Sequence, residues 1–361
     1  MKKIKIAIDV SPLSDGNSIR GVGYYTKYLV NSLQKEISAN PDYSDWQIEL
    51  IDNSKLKIEN FDLIHYPFFD PFKLTLPQNP SVPFLVTVHD LIPLQFPKHY
   101  PPGLKGKLKW LIQRHRLSKS KYIITDSNYS KHVIKDIVSF PVDKIFVTYL
   151  AADNNFYPLN KKDLTSVKNK YHLPDKFVLF VGDINWNKNI PNLVNTCLEL
   201  SMPLVVVGSS AVSKDIPVHP ENIDLLWLQS KASSLRSANT LTLTGFVPDD
   251  DLNAIFNLAT IYCQPSYAEG FGLPVVQAMK CGCPVVYSQE TSLPEIMDYN
   301  GEMFDPYSTD SLKKALLKVW NSDSLQKEYS KKGLLRSKIF DWSFTAKQTL
   351  AVYKLALIGE K

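Results

Sequence analysis

The sequence predicts an α/β protein of two Rossmann-like, doubly wound parallel-sheet domains, and three observations carry that reading. At 361 residues the chain is too long for one ordinary hydrophobic core. Short, almost uninterrupted apolar runs alternate with helical patterns, as they do when a parallel sheet is covered on both faces. The series stops at a stretch rich in Asn, Lys, Asp and Pro and then begins again.

In the first series Ile4–Ile8, Phe61–Ile64, Phe84–Val88 and Tyr122–Thr125 read as strands, with helical patterns at Gly23–Leu33 and Leu104–Leu117. The polar stretch Asn154–Asp175 reads as the link between domains. The second series places strands at Phe177–Val181, Leu204–Val207, Leu241–Thr244, Thr260–Cys263 and Val285–Tyr287, and a helix at Leu273–Lys280. Trp342–Leu357 has the periodicity of an amphipathic helix. The boundaries expected are residues 1–160, 161–340 and a closing helix at 341–361 that packs back toward the first domain. Doubly wound sheets gather ligands at the C-terminal ends of their strands, and two facing sheets make an interdomain cleft.

The totals narrow the class. An apolar fraction of 44% and a charged fraction of 21% fit a soluble globular protein. No run approaches the roughly 18 uncharged apolar residues of a membrane span. Met1-Lys2-Lys3-Ile4-Lys5 is basic, but Asp9 soon interrupts the apolar run behind it, which makes a poor signal peptide and a good first strand. The 4 cysteines lie in the second half of the chain, and Cys281 and Cys283 have no Cys or His neighbour, so neither a disulfide framework nor a zinc site is read. A reducing cytoplasm, including the inner face of its membrane, is the expected address.

The formal charge of +5 is uneven, the whole excess falling in the first 150 residues. It peaks in Lys98–Lys121, which contains no acidic residue. Such a patch attracts polyanions, anionic lipid or phosphorylated ligands. Its core, Lys105–Arg116, is amphipathic and supports two readings. Either it rests on an anionic membrane beside a lipid-linked acceptor, or its Leu and Ile positions pack on the first sheet beneath a solvated basic face. No nucleic-acid motif is present, so nucleic acid is not an expected partner.

The segment with the most chemistry is Tyr267-Ala268-Glu269-Gly270-Phe271-Gly272-Leu273-Pro274-Val275-Val276-Gln277-Ala278-Met279. It reads as a strand exit, a glycine turn and a helix N-terminus. The glycines let backbone approach a ligand, and Pro274 suits a first helical turn. Free N–H groups and the helix dipole there suit a phosphate. Glu269 can accept hydrogen bonds from sugar hydroxyls, and Gln277, about one turn into the helix, can reach back toward a ribose. The other reading is an ordinary loop with a glycine turn.

This segment resembles the E-x7-E motif of the retaining, GT-B-fold glycosyltransferases of family 4, the group 1 glycosyltransferases. The match runs on through Gly282, Pro284, Val285 and Val286 and departs at Gln277, where the family carries a second acid. Gly21-Val22-Gly23 is similar to the family's first glycine loop, Val88-His89-Asp90-Leu91-Ile92-Pro93 to its H-D-x-x-P segment, and Ser127-Asn128-Tyr129-Ser130-Lys131 to its S-x-x-S-K turn. Gly182 followed by Lys188-Asn189 is similar to its G-x5-K-N strand exit. Many relatives place an arginine directly after that glycine; here it is Asp183, with Arg20 and Lys131 as candidate replacements.

The resemblance implies a GT-B fold and transfer of a hexose, mannose or glucose-type, from GDP-mannose or a UDP-hexose. The acceptor would be a glycan or lipid-linked sugar, and the reaction would retain anomeric configuration. It implies no cofactor and no metal. Lys188 and Asn189 would meet the donor diphosphate, with Gly21 and Gly23 approaching it from the first domain. Gly245-Phe246-Val247 would border the base, and Gly270, Phe271, Gly272, Leu273 and Gln277 would line the donor. His89 and Glu269 would be the catalytic pair. Asp249-Asp250-Asp251 invites a metal reading, but the run opens a helix, where acids complement the dipole. The departures at Asp183 and Gln277 leave an alternative, a catalytically silent nucleotide-sugar binding protein of the same fold.

Overall fold

The computed structural model describes residues 3–14, 21–52, 60–78, 80–160, 164–213, 215–237 and 240–358. The chain forms two compact units, one of residues 1–97, 101–151 and 340–361, the other of residues 98–100 and 152–339. Each unit has its own hydrophobic core.

Among the described residues the first unit is built on a six-stranded parallel sheet. Its strands are β1 (Ile4–Asp9), β2 (Trp46–Ile51), β3 (Leu63–Tyr66), β4 (Phe84–Thr87), β5 (Tyr122–Thr125) and β6 (Ile145–Val147), in the spatial order β2-β1-β3-β4-β5-β6. The inner strands β3 and β4 are buried throughout; both are mainly apolar, and β3 also buries His65. The edge strands β2 and β6 are absent from the sequence reading. In β2, Gln47 and Glu49 leave one side wet, so the run lacks the continuous apolar signal that marks the others.

The helices of this unit are α1 (Gly21–Ala39), α2 (Ile92–Gln95), α3 (Gly103–Leu117), α4 (Asn128–Val138) and the closing helix, Trp342–Ile358. In α1 the buried Tyr25, Leu29, Val30 and Leu33 recur at helical spacing, forming one apolar face. Ser127 caps α4, its hydroxyl accepting the Ser130 N–H at 3.1 Å. The closing helix buries Trp342, Thr345, Ala346, Thr349, Leu350 and Tyr353 on one face and packs against α1, where Trp342 stacks on Tyr28. A buried polar chain fixes its register. The Tyr353 hydroxyl meets His65 Nδ1 at 2.7 Å, His65 Nε2 meets Thr87 Oγ1 at 2.8 Å, and the Tyr25 hydroxyl meets the same Oγ1 at 3.0 Å. Burial, with the charge of His89 adding to it, pushes His65 down to about 3, so its ring is neutral.

Helix α3 divides its apolar residues: Leu104, Leu108 and Leu111 are 87%, 61% and 61% exposed, whereas Leu117 is buried in the core of the unit along with Gly106 and Gln113 on the inner face. Gln113 is accommodated inside by bonding the Asp70 carbonyl and the Thr75 hydroxyl.

The second unit repeats the plan, again with six parallel strands among the described residues, in the order β12-β11-β10-β7-β8-β9. They are β7 (Val178–Val181), β8 (Leu204–Val207), β9 (Leu241–Gly245), β10 (Ile261–Gln264), β11 (Val285–Ser288) and β12 (Glu302–Phe304). The helices are α5 (Thr165–Lys170), α6 (Ile190–Glu199), α7 (Ile223–Ser237), α8 (Asp249–Leu258), α9 (Leu273–Lys280), α10 (Leu293–Met297), α11 (Thr309–Trp320) and α12 (Asp323–Ser337). The stretch read as a link therefore contains α5, and residues 161–163 of it lie outside the described residues. The chain builds outward from β7 through β8 to β9, then returns to the other side of β7 as β10. The order thus reverses between β7 and β10, the position at which open α/β sheets bind ligands. The exits of β7 and β8 run so close that a Cβ on Gly208 would sit 2.3 Å from the Gly182 carbonyl oxygen.

Candidate functional site

The reversal point of the second unit holds an ion pair. After β7 the chain makes a 3₁₀ turn, Trp186–Lys188, and Lys188 Nζ donates to both oxygens of Glu269, at 2.7 and 2.8 Å. Glu269 lies in the segment that leaves β10. Its Oε1 also accepts from Ser266 Oγ at 2.6 Å and from Gln264 Nε2 at 2.7 Å, and Gln264 is held in turn by the Tyr262 hydroxyl. Both charged side chains are mostly covered, with 20% and 9% of their surface exposed. The surrounding donors hold this covered carboxylate in place.

Asn189 anchors this arrangement and also lines a neighbouring cleft. It takes a left-handed backbone, φ 54°, which asparagine tolerates. Its Nδ2 donates to the Pro265 and Pro306 carbonyls, both at 3.1 Å. Asn187 ties the same turn to the β10 exit through the Ala268 carbonyl.

Downstream of Glu269, Gly272 adopts φ 94° and directly precedes α9, and a Cβ there would meet Leu293 Cδ2 at 2.8 Å. Pro274 lies in the first turn of α9, as expected. The turn is braced from behind: Ser292 Oγ donates to the Glu269 and Phe271 carbonyls, and Thr291 Oγ1 accepts the Glu269 N–H. Gly270 and Phe271 are buried and Leu273 is half-buried. Gln277 is only 6% exposed, yet its carboxamide bonds no described residue. The β9 exit offers Gly245 at φ 73°, an exposed Phe246 and a buried Val247, so the loop is pinned on either side of a projecting ring.

In the first unit Gly21 and Gly23 form the first turn of α1 rather than preceding it, which corrects the sequence reading. A Cβ on Gly21 would meet nothing within 4 Å, whereas Gly23 is buried. Arg20 lies outside the described residues. His89 follows β4, and its Nδ1 lies 2.6 Å from Asp126 Oδ2, just past β5. Its Nε2 lies 3.1 Å from the Pro67 carbonyl oxygen. The Pro67 carbonyl only accepts, so Nε2 carries a proton, while the second proton is shared between Nδ1 and Asp126 and makes the ring an imidazolium when it sits on nitrogen. Burial opposes that charge, but Asp126, helped by Asp90 and the Pro67 carbonyl, holds the histidine above its ordinary value. The S-x-x-S-K turn supports the site directly, with Ser130 Oγ donating to the His89 carbonyl at 3.1 Å.

Asp126, Gln264 and Ser266 escape the sequence reading. Each sits at or just beyond the C-terminal end of an apolar strand, the criterion that singles out His89, but lies outside the quoted motif spans. Asp249, Asp250 and Asp251 open α8, where Asp251 takes Lys170 at 2.6 Å and the Tyr171 hydroxyl at 2.8 Å.

Comparison with known proteins gives consistent relatives. Residues 162–336 match the family model "Glycosyl transferases group 1", and residues 39–156 match "Glycosyltransferase Family 4". The O-antigen chain mannosyltransferase B of Escherichia coli is 30% identical over 280 residues, covering 75% of this chain and 70% of that protein. The serotype-specific mannosyltransferase WbdA of Escherichia coli is 28% identical over 287 residues, 77% of this chain but 34% of that longer protein. Anabaena Alr3699/HepE, solved in complex with UDP and glucose, superposes with a TM-score of 0.72 at 15% identity, over 97% of this chain and 99% of that one. The architecture is thus the two-domain α/β GT-B fold.

The His89–Asp126 pair sets a pH dependence. Its folded pKa is raised, so the stability it contributes is fully present below the ordinary histidine value and is lost as pH rises through the folded one. In Asp126→Asn the burial remains and the opposing carboxylate is gone. An NMR titration of the histidine ring is expected to show His89 titrating above the ordinary value in the parent and below it in the variant.

Proposed function

Because the chain belongs to the group 1 glycosyltransferases of family 4, we propose that it moves a hexose, mannose or a glucose-type sugar, from GDP-mannose or a UDP-hexose to a glycan or lipid-linked acceptor with retention of configuration. The mannosyltransferase names of its relatives favour mannose. The UDP complex of the Anabaena neighbour favours a nucleotide donor. No cofactor beyond the donor enters the proposal.

The observation that carries it is the Lys188–Glu269 pair at the strand reversal, with Gln277, unpartnered among the described residues, one turn along α9. The N–H groups at the start of α9 and the Lys188 ammonium suit a diphosphate, and lysine can neutralise charge growing on the leaving group. Glu269, relieved of Lys188, keeps Ser266 and Gln264 and offers Oε2 to a sugar hydroxyl. The Gln277 carboxamide can donate to and accept from ribose hydroxyls, so its replacement of an acid preserves a binding role. Phe246 offers a ring to the base. His89 has Nδ1 engaged by Asp126 and a protonated Nε2, so it has no free lone pair for the acceptor's proton. Turned from the Pro67 carbonyl, its Nε2–H is assigned hydrogen-bond donation to the sugar or phosphate, which leaves the departing diphosphate to accept the acceptor's proton.

The proposal extends to peripheral contact with anionic membrane through α3. Leu104, Leu108 and Leu111 form one exposed stripe flanked by Lys105, Lys107 and Lys109, inside the acid-free stretch Lys98–Lys121. Among the described residues no helix is long and apolar enough to cross a membrane.

Two outcomes are expected. Lys188→Ala should weaken both the intact donor and the free nucleoside diphosphate by about tenfold to a hundredfold in calorimetric titration, the worth of one charged hydrogen bond. Unchanged affinity for both would remove its phosphate role, and tight donor binding by the parent without turnover on any acceptor would favour the silent binding protein. In co-sedimentation, the protein should bind phosphatidylglycerol vesicles and ignore phosphatidylcholine ones. Reversing Lys105, Lys107 and Lys109 to Glu should abolish that binding, since each basic side chain near such a surface contributes about 1 kcal/mol.

A further inference from the structure

The second unit has a cleft of about 640 Å³ that includes neither Lys188 nor Glu269. One wall is a ladder of rings. His99 stacks on Trp186 with centroids 3.5 Å apart and planes 7° apart. Trp186 stacks on Tyr267 at 5.2 Å, and Tyr267 on Tyr307 at 5.1 Å. Trp186, Tyr267 and Tyr307 face the cleft, and Tyr307 is 65% exposed. The ladder gives a rigid apolar surface at low entropic cost, since stacked rings have little rotamer freedom left to lose.

The other wall is polar. Asn192, Asn195 and Glu199 fall three and four residues apart on α6 and so share one helix face. Asn192 is engaged by the Thr309 hydroxyl and the Pro306 carbonyl, and Glu199 is paired with Lys313. Asn195 and the half-buried Asp224, at the start of α7, have no hydrogen-bond partner among the described residues. Burial pushes the Asp224 carboxyl up to about 7, so near neutrality it both donates and accepts.

The ligand chemistry follows by elimination. Among the described residues no lysine or arginine lines the cleft, and the nearby Lys313 is already paired with Glu199, so a phosphate or nucleotide finds no counter-charge there. An aliphatic or lipid ligand would leave Asn195 and Asp224 without partners. A pyranose satisfies both walls: its C–H face lies on aromatic rings, and its hydroxyls need donors and acceptors together. The volume falls within the range of about 300–1,000 Å³ common for small-molecule sites.

We propose that this cleft is a second carbohydrate site, binding neutral hexose units of an oligosaccharide beside Lys188 and Glu269, with Asn189 on the edge it shares with them. Trp186 lies in the same turn as Lys188, and Tyr267 is two residues from Glu269, so a glycan held here is retained next to the donor groups while sugars are exchanged. The choice of mannose as probe rests on the glycosyl-transfer reading; the existence of the site does not.

The test is calorimetric titration of the full chain with α-mannotetraose, with free mannose as a separate arm, in the presence of saturating GDP or UDP. Binding of the tetrasaccharide is expected, and Asn195→Ala and Tyr307→Ala should each weaken it at least about tenfold while leaving nucleotide affinity unchanged. Asn195 is on the surface of α6, so its variant folds even if Tyr307→Ala does not. Stronger binding of the tetrasaccharide than of mannose supports a glycan rather than a free sugar as the occupant. Absence of binding, binding indifferent to both substitutions, or displacement by inorganic phosphate overturns the site. A chain that transfers no sugar yet binds the tetrasaccharide through these residues contradicts the proposed reaction and leaves the site standing.

Discussion

The ion pair between Lys188 and Glu269 is the constraint around which the second unit is arranged. An unpaired charge in so covered a position costs several kcal/mol, so the exits of β7 and β10 must stay in register to keep the two groups together. The surrounding contacts serve the same end. Asn187 and Asn189 bind the lysine turn to the glutamate segment through backbone carbonyls, and Ser266 and Gln264 saturate Oε1. Among the described residues Oε2 accepts from Lys188 alone. On the proposed reading an incoming diphosphate would take the ammonium from Glu269, which its two neutral donors would keep oriented. Such a site needs little rearrangement to bind, which is how preorganised electrostatics stabilise developing charge.

The first unit uses partner chemistry in the same way, and its two buried histidines show how far partners decide charge. His65 sits among the hydroxyls of Tyr353 and Thr87, which can donate or accept, and burial leaves it neutral. His89 faces a carboxylate and a backbone carbonyl, and against the burial that lowers it Asp126 holds it above its ordinary value. Neither state could be assigned from the identity of the residue.

Legibility from sequence tracks the strength of the physical signal. The inner strands are continuous apolar runs, so they are found to within a residue or two, with Tyr122–Thr125 and Leu204–Val207 matching. The edges β2, β6 and β12 are not, because each is short or half wet and lacks that run, whereas the fourth edge, β9, is found at Leu241–Thr244. The glycine turn before α9 is legible because its backbone demands glycine at Gly272. Asp126 and Gln264 are not, since their importance lies in partners far along the chain or across a strand exit. Helix α3 marks the limit of periodicity, which locates an apolar stripe but not the side of the helix that faces the protein. Gln277 reads in the sequence as a departure from a pattern. In the structure it is buried, and its carboxamide bonds no described residue.

The account stands on the claim that the ammonium of Lys188 changes partner when donor binds. A crystal structure of the protein with GDP or UDP tests it most directly. The account predicts Nζ within hydrogen-bond distance of a diphosphate oxygen, the Gln277 carboxamide on the ribose, and Glu269 still held by Ser266 and Gln264. A bound nucleotide that leaves the Lys188–Glu269 pair intact and Gln277 without a partner would contradict it.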